Sequence, residues 1–200
     1  RFADPQRSGV ISLWLPALRK VRQINEPAHD DTWFGTIITY GELVLRTPEH
    51  ETHEYLGGGT LDSCLDSMEF EPWEQNRYTQ QLPGPQCAHK GKAVHRLKST
   101  TRFENWWYDH RITYIDAKTF ADYRSEYFKD GEMVKVIDRN WVPLGKSDDP
   151  RAVGWGYWYG KTFETGHETW AVIPPEVVEY NNSEREASLW TERTLRKIRR

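Results

Sequence analysis

Two His-Glu pairs flank a threonine in the segment His50–Glu54, which combines metal-ligand and general-base side chains. A zinc protease of the His-Glu-x-x-His type places two histidines four residues apart on one helix face, with the glutamate as base. Here His50 and His53 are three apart, and on a strand such residues point to opposite faces. We therefore predict a polar strand or loop with solvated His and Glu side chains and no metal site. A metal-dependent enzyme using His50, Glu51 and His53 is kept as a third hypothesis, which stoichiometric zinc would support.

A glycine triplet at 57–59 has the composition of a phosphate-binding loop. Such loops continue into Gly-Lys-Ser/Thr, and a dinucleotide-binding turn needs alternating glycines between a strand and a helix. Neither context surrounds this triplet, which predicts a flexible turn or a β-bulge instead. No Gly-x-Ser-x-Gly elbow occurs, and neither Cys64 nor Cys87 carries a cysteine-protease signature. We expect no catalytic residue, no cofactor and no enzymatic activity.

The composition favours β structure that presents large amphipathic side chains. Aromatic residues make 14% of the 200 residues, whereas all hydrophobic residues together make 37%. Trp and Tyr suit pleated, half-buried surfaces and also serve binding sites. The net charge of −3 argues against a nucleic-acid partner. No window approaches the roughly 18 apolar residues of a membrane-spanning helix, so we do not expect a transmembrane protein.

Two cysteines flank the most irregular part of the chain. Proline and glycine punctuate the polar residues 69–92, which we expect to form a long surface excursion. A Cys64–Cys87 disulfide would stabilise the fold by about 3 kcal/mol in an oxidising compartment. Spacing alone leaves open whether the two side chains meet.

Short β-type runs recur along the chain and helices are few. An Asp130-Gly131 pair between two such runs predicts a hairpin. Thr39 and Glu42 fit a capping box for a short helix through Arg46, and Ser183 could cap another through Trp190. Consecutive antiparallel strands with few helices indicate a curved sheet or an open barrel. The predicted strands are Val10–Leu15, Arg19–Ile24, Ala93–Leu97, Trp106–Ile115, Tyr123–Phe128, Met133–Asp138, Gly154–Phe163 and Thr169–Ile173.

Five ordered segments resemble one known family. They are LWLPALRKVRQI (13–24), WFGTIITYGEL (33–43), YIDAKTFADYRSEYFKDGEMVKV (114–136), YWYGKTFETGHET (157–169) and LWTERTLRKI (189–198). Together they look like the LolA-like proteins, known as outer-membrane lipoprotein-sorting proteins. The likeness spans most of residues 1–200, so we expect a single LolA-like domain. We also expect it to lack the family's N-terminal helix and first strands, and residues 64–87 to be a divergent insertion.

The resemblance implies a mainly β (α+β) fold of the LolA/LolB type. In that fold a strongly curved antiparallel sheet forms an incomplete barrel, and short helices cover its apolar concave face. It also implies a non-enzymatic carrier or chaperone that binds lipoprotein acyl chains or another apolar ligand. The expected partners are such a lipid or lipoprotein, an inner-membrane exporter and an outer-membrane acceptor. We expect a periplasmic location in a Gram-negative bacterium, with a signal peptide already removed because the chain begins with Arg.

We expect the ligand to contact inward-facing aromatic and aliphatic side chains of the curved sheet. An alternative is a carbohydrate-binding or envelope scaffold module that exposes Trp106, Trp155 and Trp158 on a flat face. Coplanar exposed rings would favour sugars, and rings around a concavity would favour lipids. The predicted wall consists of Leu13, Leu15, Trp107, Ile112, Tyr114, Tyr123, Tyr127, Trp158 and Phe163.

Overall fold

The structure, a computed structural model, describes residues 10–15, 20–25, 28–66, 87–145 and 148–173, together with 178, 193 and 194. β1 and β2 pair antiparallel in a two-stranded sheet. Helical turns at Gly41–Leu45 and Pro48–His50 precede a seven-stranded sheet. The strands are β1 (Val10–Leu15), β2 (Lys20–Asn25), β3 (Glu51–Thr60), β4 (Ala93–Thr101), β5 (His110–Asp116), β6 (Asp122–Lys129), β7 (Glu132–Pro143), β8 (Val153–Thr162) and β9 (Glu168–Val172).

The large sheet is an antiparallel meander whose strands lie side by side in chain order. β3 and β9 are its edges, and within the described residues they do not pair with each other, so the sheet is open. Short connections join β4 through β9 in this order, whereas residues 61–92 separate β3 from β4. The mainly β architecture with very few helical turns confirms the predicted fold class.

Local sequence signals located the central hairpin and one helical turn correctly. Asp130 and Gly131 join β6 to β7 with φ of 49° and 85°, the left-handed backbone that favours Asp-Gly in such turns. The Thr39 N–H donates to Glu42 Oε2 at 2.6 Å, and the Glu42 N–H donates to Thr39 Oγ1 at 3.3 Å. This is the reciprocal pair of a capping box, although the turn that follows is π-helical.

Other predictions needed correction or lie outside the described residues. The His-Glu segment, predicted as strand or loop, is strand from Glu51 onward, whereas His50 ends the turn before it. A β-bulge lies between Tyr55 and Gly57 (φ 96°), at the start of the glycine triplet, where a turn or bulge was predicted. The strand predicted from Trp106 starts only at His110, because Asn105 (φ 51°) and the loop 102–109 place the tryptophans before the sheet. The predicted helix 183–190 and most of the excursion 69–92 lie outside the described residues.

The two faces of the large sheet are covered by different parts of the chain. Residues 28–50, here called the lid segment, cover the lid face, on which Arg111, Tyr127 and Lys135 face one another in register. Residues 61–66 lie against the opposite face, here called the disulfide face. Alternation along β6 fits this arrangement, since Ser125 and Tyr127 are buried on the lid face.

Tyrosine supplies much of the buried core. Tyr108, Tyr127 and Ile137 pack together on the lid face, with Trp106, Trp107 and Val134 against them. A second cluster joins the segment 61–66 to the sheet through Leu61, Leu65, Val94, Ala121 and Tyr123. In the part of the chain that the structure describes, no helix has the length and apolar character needed to cross a membrane.

Candidate functional site

A buried ion pair fastens the lid segment to the middle of the sheet. Lys135 Nζ lies 2.8 Å from Glu42 Oε2 and also donates to the Ile37 carbonyl. Burial opposes ionisation of Glu42, but Lys135 and Arg46 together hold the pKa of that carboxyl below its usual value. Both side chains are almost fully buried, so losing either partner would leave an uncompensated charge inside the protein.

The backbone of Ile37 is held to the sheet at two points. Its N–H donates to Thr169 Oγ1 of β9 at 3.1 Å, and its carbonyl accepts from Lys135 of β7. Between these strands, Gly160 of β8 leaves space for the Ile37 side chain, since a Cβ there would lie 2.7 Å from Ile37 Cδ1. The lid segment is thus seated closely on three strands.

Glu51, the candidate base of the His-Glu segment, forms a second buried ion pair. Arg111 donates to both of its carboxylate oxygens, at 3.1 and 2.7 Å, and the Tyr108 hydroxyl donates to Oε1 at 3.1 Å. Arg46 Nε lies further away, at 3.8 Å. Burial opposes ionisation, but Arg111 keeps the pKa of Glu51 below its usual value. Glu51 is thus an ion-paired carboxylate, which corrects the expectation of a solvated side chain.

The two histidines of that segment have separate structural partners. His50 Nδ1 accepts from the Thr47 N–H at 3.2 Å. His53 contacts Ser99 Oγ at 3.0 Å through Nδ1 and the Pro48 carbonyl at 3.2 Å through Nε2. Among the described residues, no group of three or more His, Cys, Asp or Glu side chains is arranged to hold a metal ion.

A cavity of about 610 Å³ lies between the lid segment and the β7–β9 end of the sheet. Its volume is within the usual range of small-molecule sites. Ile37, Trp107 and Val134 give it apolar lining, and Lys135 gives it a cation. Lys135 Nζ lies 4.6 Å from the centroid of the Trp107 ring, a cation–π distance. Further polar lining comes from Asp30, Thr32, Thr36, Thr39, Lys129, Thr162, Glu164, Thr165 and His167.

The residues predicted as one apolar wall are distributed over several places. Trp107 lines the cavity, and Tyr127 packs beneath it with ring centroids 5.0 Å apart. Trp158 is buried on the lid face, where Arg139 stacks on its ring. Phe163 is 44% exposed in the turn after β8.

Three further predicted wall residues, Ile112, Tyr114 and Tyr123, do not line this cavity. Ile112 and Tyr114 are on the disulfide face, opposite Arg111 and Thr113 as alternation along β5 predicts. Tyr123 sits at a bulge in β6 and stacks on His89, with centroids 4.2 Å apart. The side chains of Leu13 and Leu15 lie outside the described part of the chain.

The tryptophans of the alternative site do not form a flat platform. Trp155 is 38% exposed and Trp158 is buried at 5% exposure. Their rings meet at 76°, in an edge-to-face contact. Trp106 belongs to another cluster, against Phe103 and Tyr108. Coplanar exposed rings, the arrangement that favours sugar stacking, are therefore missing at these three positions.

The disulfide face carries a buried ionic site that the sequence reasoning missed. Arg124 donates to both carboxylate oxygens of Asp138, at 2.7 and 2.6 Å, and Asp138 also accepts the Asp66 N–H at 2.8 Å. Burial raises the pKa of Asp138, and Arg124 counteracts it. Cys64 and Cys87 form a disulfide with a Cα–Cα distance of 4.3 Å. The sequence contains one signal for this ionic site. Arg124 and Asp138 have opposite charges and are cross-strand partners in the predicted hairpin.

Comparison with solved structures identifies the architecture. A domain from Vibrio parahaemolyticus assigned to outer membrane lipoprotein sorting superposes with a TM-score of 0.52 at 14% identity, over 89% of this chain and 65% of that one. A DUF1329 family protein from Desulfovibrio piger gives 0.52 at 12% identity, over 94% and 68%. The fold is LolA-like.

This LolA-like assignment confirms the resemblance found in the sequence at the level of fold. A LolA superfamily protein from Nitrosomonas europaea is also similar, with a TM-score of 0.43 at 9% identity over 86% of this chain and 67% of that one. No family model and no curated protein matches the sequence. The chain spans 65% of the length of the Vibrio chain and 68% of that of the Desulfovibrio chain.

Proposed function

We propose that this protein is a non-enzymatic periplasmic carrier that binds an acyl chain, or a similar apolar ligand, during lipid or lipoprotein transport. The observation that carries the proposal is the 610 Å³ cavity between the lid segment and the sheet. Transferring a chain from water into an apolar site gains about 0.8 kcal/mol per CH₂, so such a cavity can hold a lipid without covalent chemistry.

The fastening of the lid segment supports a ligand that enters beneath it. Ile37 and Lys135 line the cavity, and both also take part in the bonds that hold the lid segment down. A ligand in the cavity therefore touches the residues that fix the cover. The name of the Vibrio structure favours cargo of the lipoprotein-sorting kind, and an inner-membrane exporter and an outer-membrane acceptor would then be the partners.

The test is binding of a fluorescent acyl probe to the wild-type protein and to two neighbouring variants. Val134→Asn puts an amide into the apolar lining and should weaken binding about tenfold, since a buried polar group without a partner is costly. Met133→Asn is the matched control, because Met133 is exposed on the adjacent position of β7 and does not line the cavity. Equal binding by all three proteins, or none by the wild type, would contradict the proposal.

A further inference from the structure

Beside the cavity, four buried polar atoms find no hydrogen-bond partner among the described residues. They are Glu42 Oε1, Arg46 Nη2, Trp107 Nε1 and the Tyr127 hydroxyl. Buried polar atoms of folded proteins are normally paired with protein, water or ligand. A group of such atoms in one place therefore indicates that something polar belongs among them.

These residues form one contiguous group. The Trp107 and Tyr127 ring centroids are 5.0 Å apart, and the Arg46 guanidinium carbon lies 6.0 Å from the Tyr127 ring. Lys135, whose ammonium pairs with Glu42, lies 5.7 Å from the Tyr127 ring. Trp107 and Lys135 also line the cavity, whereas Glu42, Arg46 and Tyr127 do not, so the group lies behind the part of the wall that Trp107 and Lys135 form.

The charges of this group are unequal. Glu51, which Arg46 approaches, and its partner Arg111 are counted with the group. Among the described residues there are then three cations, Lys135, Arg46 and Arg111, and two carboxylates, Glu42 and Glu51. Glu42 is paired with Lys135 and Glu51 with Arg111. Among the described residues, the ion pair of Arg46 is the long 3.8 Å contact to Glu51; its guanidinium otherwise lies over the Tyr108 and Tyr127 rings, and its Nη2 has no acceptor. Burial disfavours an unmatched charge, so a single negative charge would complete the group.

Donors also outnumber acceptors among the unpartnered atoms. Arg46 Nη2 and Trp107 Nε1 can only donate, the Tyr127 hydroxyl can donate or accept, and Glu42 Oε1 can only accept. A carboxylate offers acceptor oxygens to Arg46 and Trp107. The Tyr127 hydroxyl can then donate either to the ligand or to Glu42.

We propose that this group, directly behind the inner wall of the cavity, is a carboxylate site, and that the ligand is a fatty acid or another amphiphile with one anionic head group. The inference rests on the proposed carrier function and names the chemical class of its ligand. The head group inserts beside Trp107 and binds to Arg46 and Tyr127, which do not line the cavity itself, and the acyl chain lies along Ile37 and Val134. A neutral ester of the same chain has the same apolar area but lacks the charge that Arg46 requires.

Calorimetric titration of the wild-type protein with laurate and with methyl laurate tests the inference. We expect laurate to bind about tenfold to a hundredfold more tightly, as is typical of hydrogen bonds to a charged group. Equal affinities would overturn the carboxylate site and leave the carrier function standing. Binding of neither ligand would count against the carrier function itself.

Two variants assign the effect to the named side chains. Arg46→Gln should lower laurate affinity about tenfold or more and leave methyl laurate affinity unchanged, whereas the exposed Arg102→Gln serves as the matched control for both. Tyr127→Phe removes a hydroxyl that has no described partner, so the protein should keep its thermal stability while laurate binding weakens. Unchanged laurate affinity in folded Arg46→Gln and in Tyr127→Phe would overturn the assignment.

Discussion

Individual buried charges hold the lid segment in place, and their energetics can be measured directly. Lys135→Met should lower the free energy of unfolding by about 3–5 kcal/mol, because it leaves Glu42 buried without its cation. Denaturant unfolding of this variant is compared with Lys161→Met, which breaks the part-exposed pair with Glu168 and should cost under about 1 kcal/mol. Equal losses in the two variants would contradict the role given to the Glu42–Lys135 pair.

His89 makes the stability of the fold depend on pH. Burial, reinforced by Lys92, lowers its pKa from 6.5 to about 4. Between these values the unfolded chain binds a proton that the folded protein excludes, so this contribution is present above pH 6.5 and is lost as the pH falls toward 4. His89→Gln removes the titration while keeping an acceptor for the Trp141 N–H. Urea unfolding between pH 6.5 and 4 should therefore show a smaller loss in the variant, and parallel curves would be inconsistent with this cause.

At the scale of elements, the disulfide secures the segment 61–66 against the sheet. Removing it through Cys64→Ser with Cys87→Ser should lower the free energy of unfolding by about 3 kcal/mol, chiefly because the unfolded chain gains freedom. The hydrogen-exchange rates of the amides in 61–66 should rise, including that of the Asp66 N–H, which donates to Asp138. The exchange rates in β4 and β5 should change little. An unchanged exchange rate of the Asp66 amide in the double variant would contradict this role, because the ionic contacts would then hold the segment 61–66 without the disulfide.

The lid segment should respond to a change at a single glycine of β8. Gly160→Val places two methyl groups where Ile37 now packs, and a Cβ alone would approach Ile37 Cδ1 to 2.7 Å. Exchange of the Ile37 amide, which is bonded to Thr169, should therefore increase, and acyl-probe binding should weaken. Gly58→Val, at an exposed strand position with nothing closer than 3.9 Å, is the control. Equal hydrogen-exchange rates of the Ile37 amide in the two variants would contradict close packing of the lid segment against Gly160.

The sequence predicted those elements that depend on neighbouring residues, and it failed to predict features that depend on tertiary packing. The Asp130-Gly131 turn and the Thr39–Glu42 capping box depend on residues within four positions, so the sequence indicates them directly. The face of the sheet on which a side chain lies depends on the bulges along each strand. A bulge in β6 turns Tyr123 away from the wall predicted for it. The unpartnered atoms around Tyr127 arise only when the lid segment, the loop 102–109 and β7 meet, which no local pattern reports.

At the scale of the whole molecule, an open seven-stranded sheet is covered by the lid segment on one face and by the segment 61–66 on the other, and the 610 Å³ cavity lies on the lid face. The buried ion pair of Lys135 lies beside that cavity, and that of Arg111 lies two strands away on the same face, which are unusually polar surroundings for a lipid. Their presence fits an amphiphile that inserts its charged end first. In the proposed carrier, the fold supplies the cavity, and this chain's own side chains would supply the contacts to the head group.

Native mass spectrometry of the protein isolated from its own cells without detergent tests the central claim most directly. The account predicts a bound mass that denaturation releases, and organic extraction should identify it as an acyl-containing amphiphile with a carboxylate or similar anionic group. The contradicting result is a protein that carries no such species and that also fails to take up a fluorescent acyl probe afterwards.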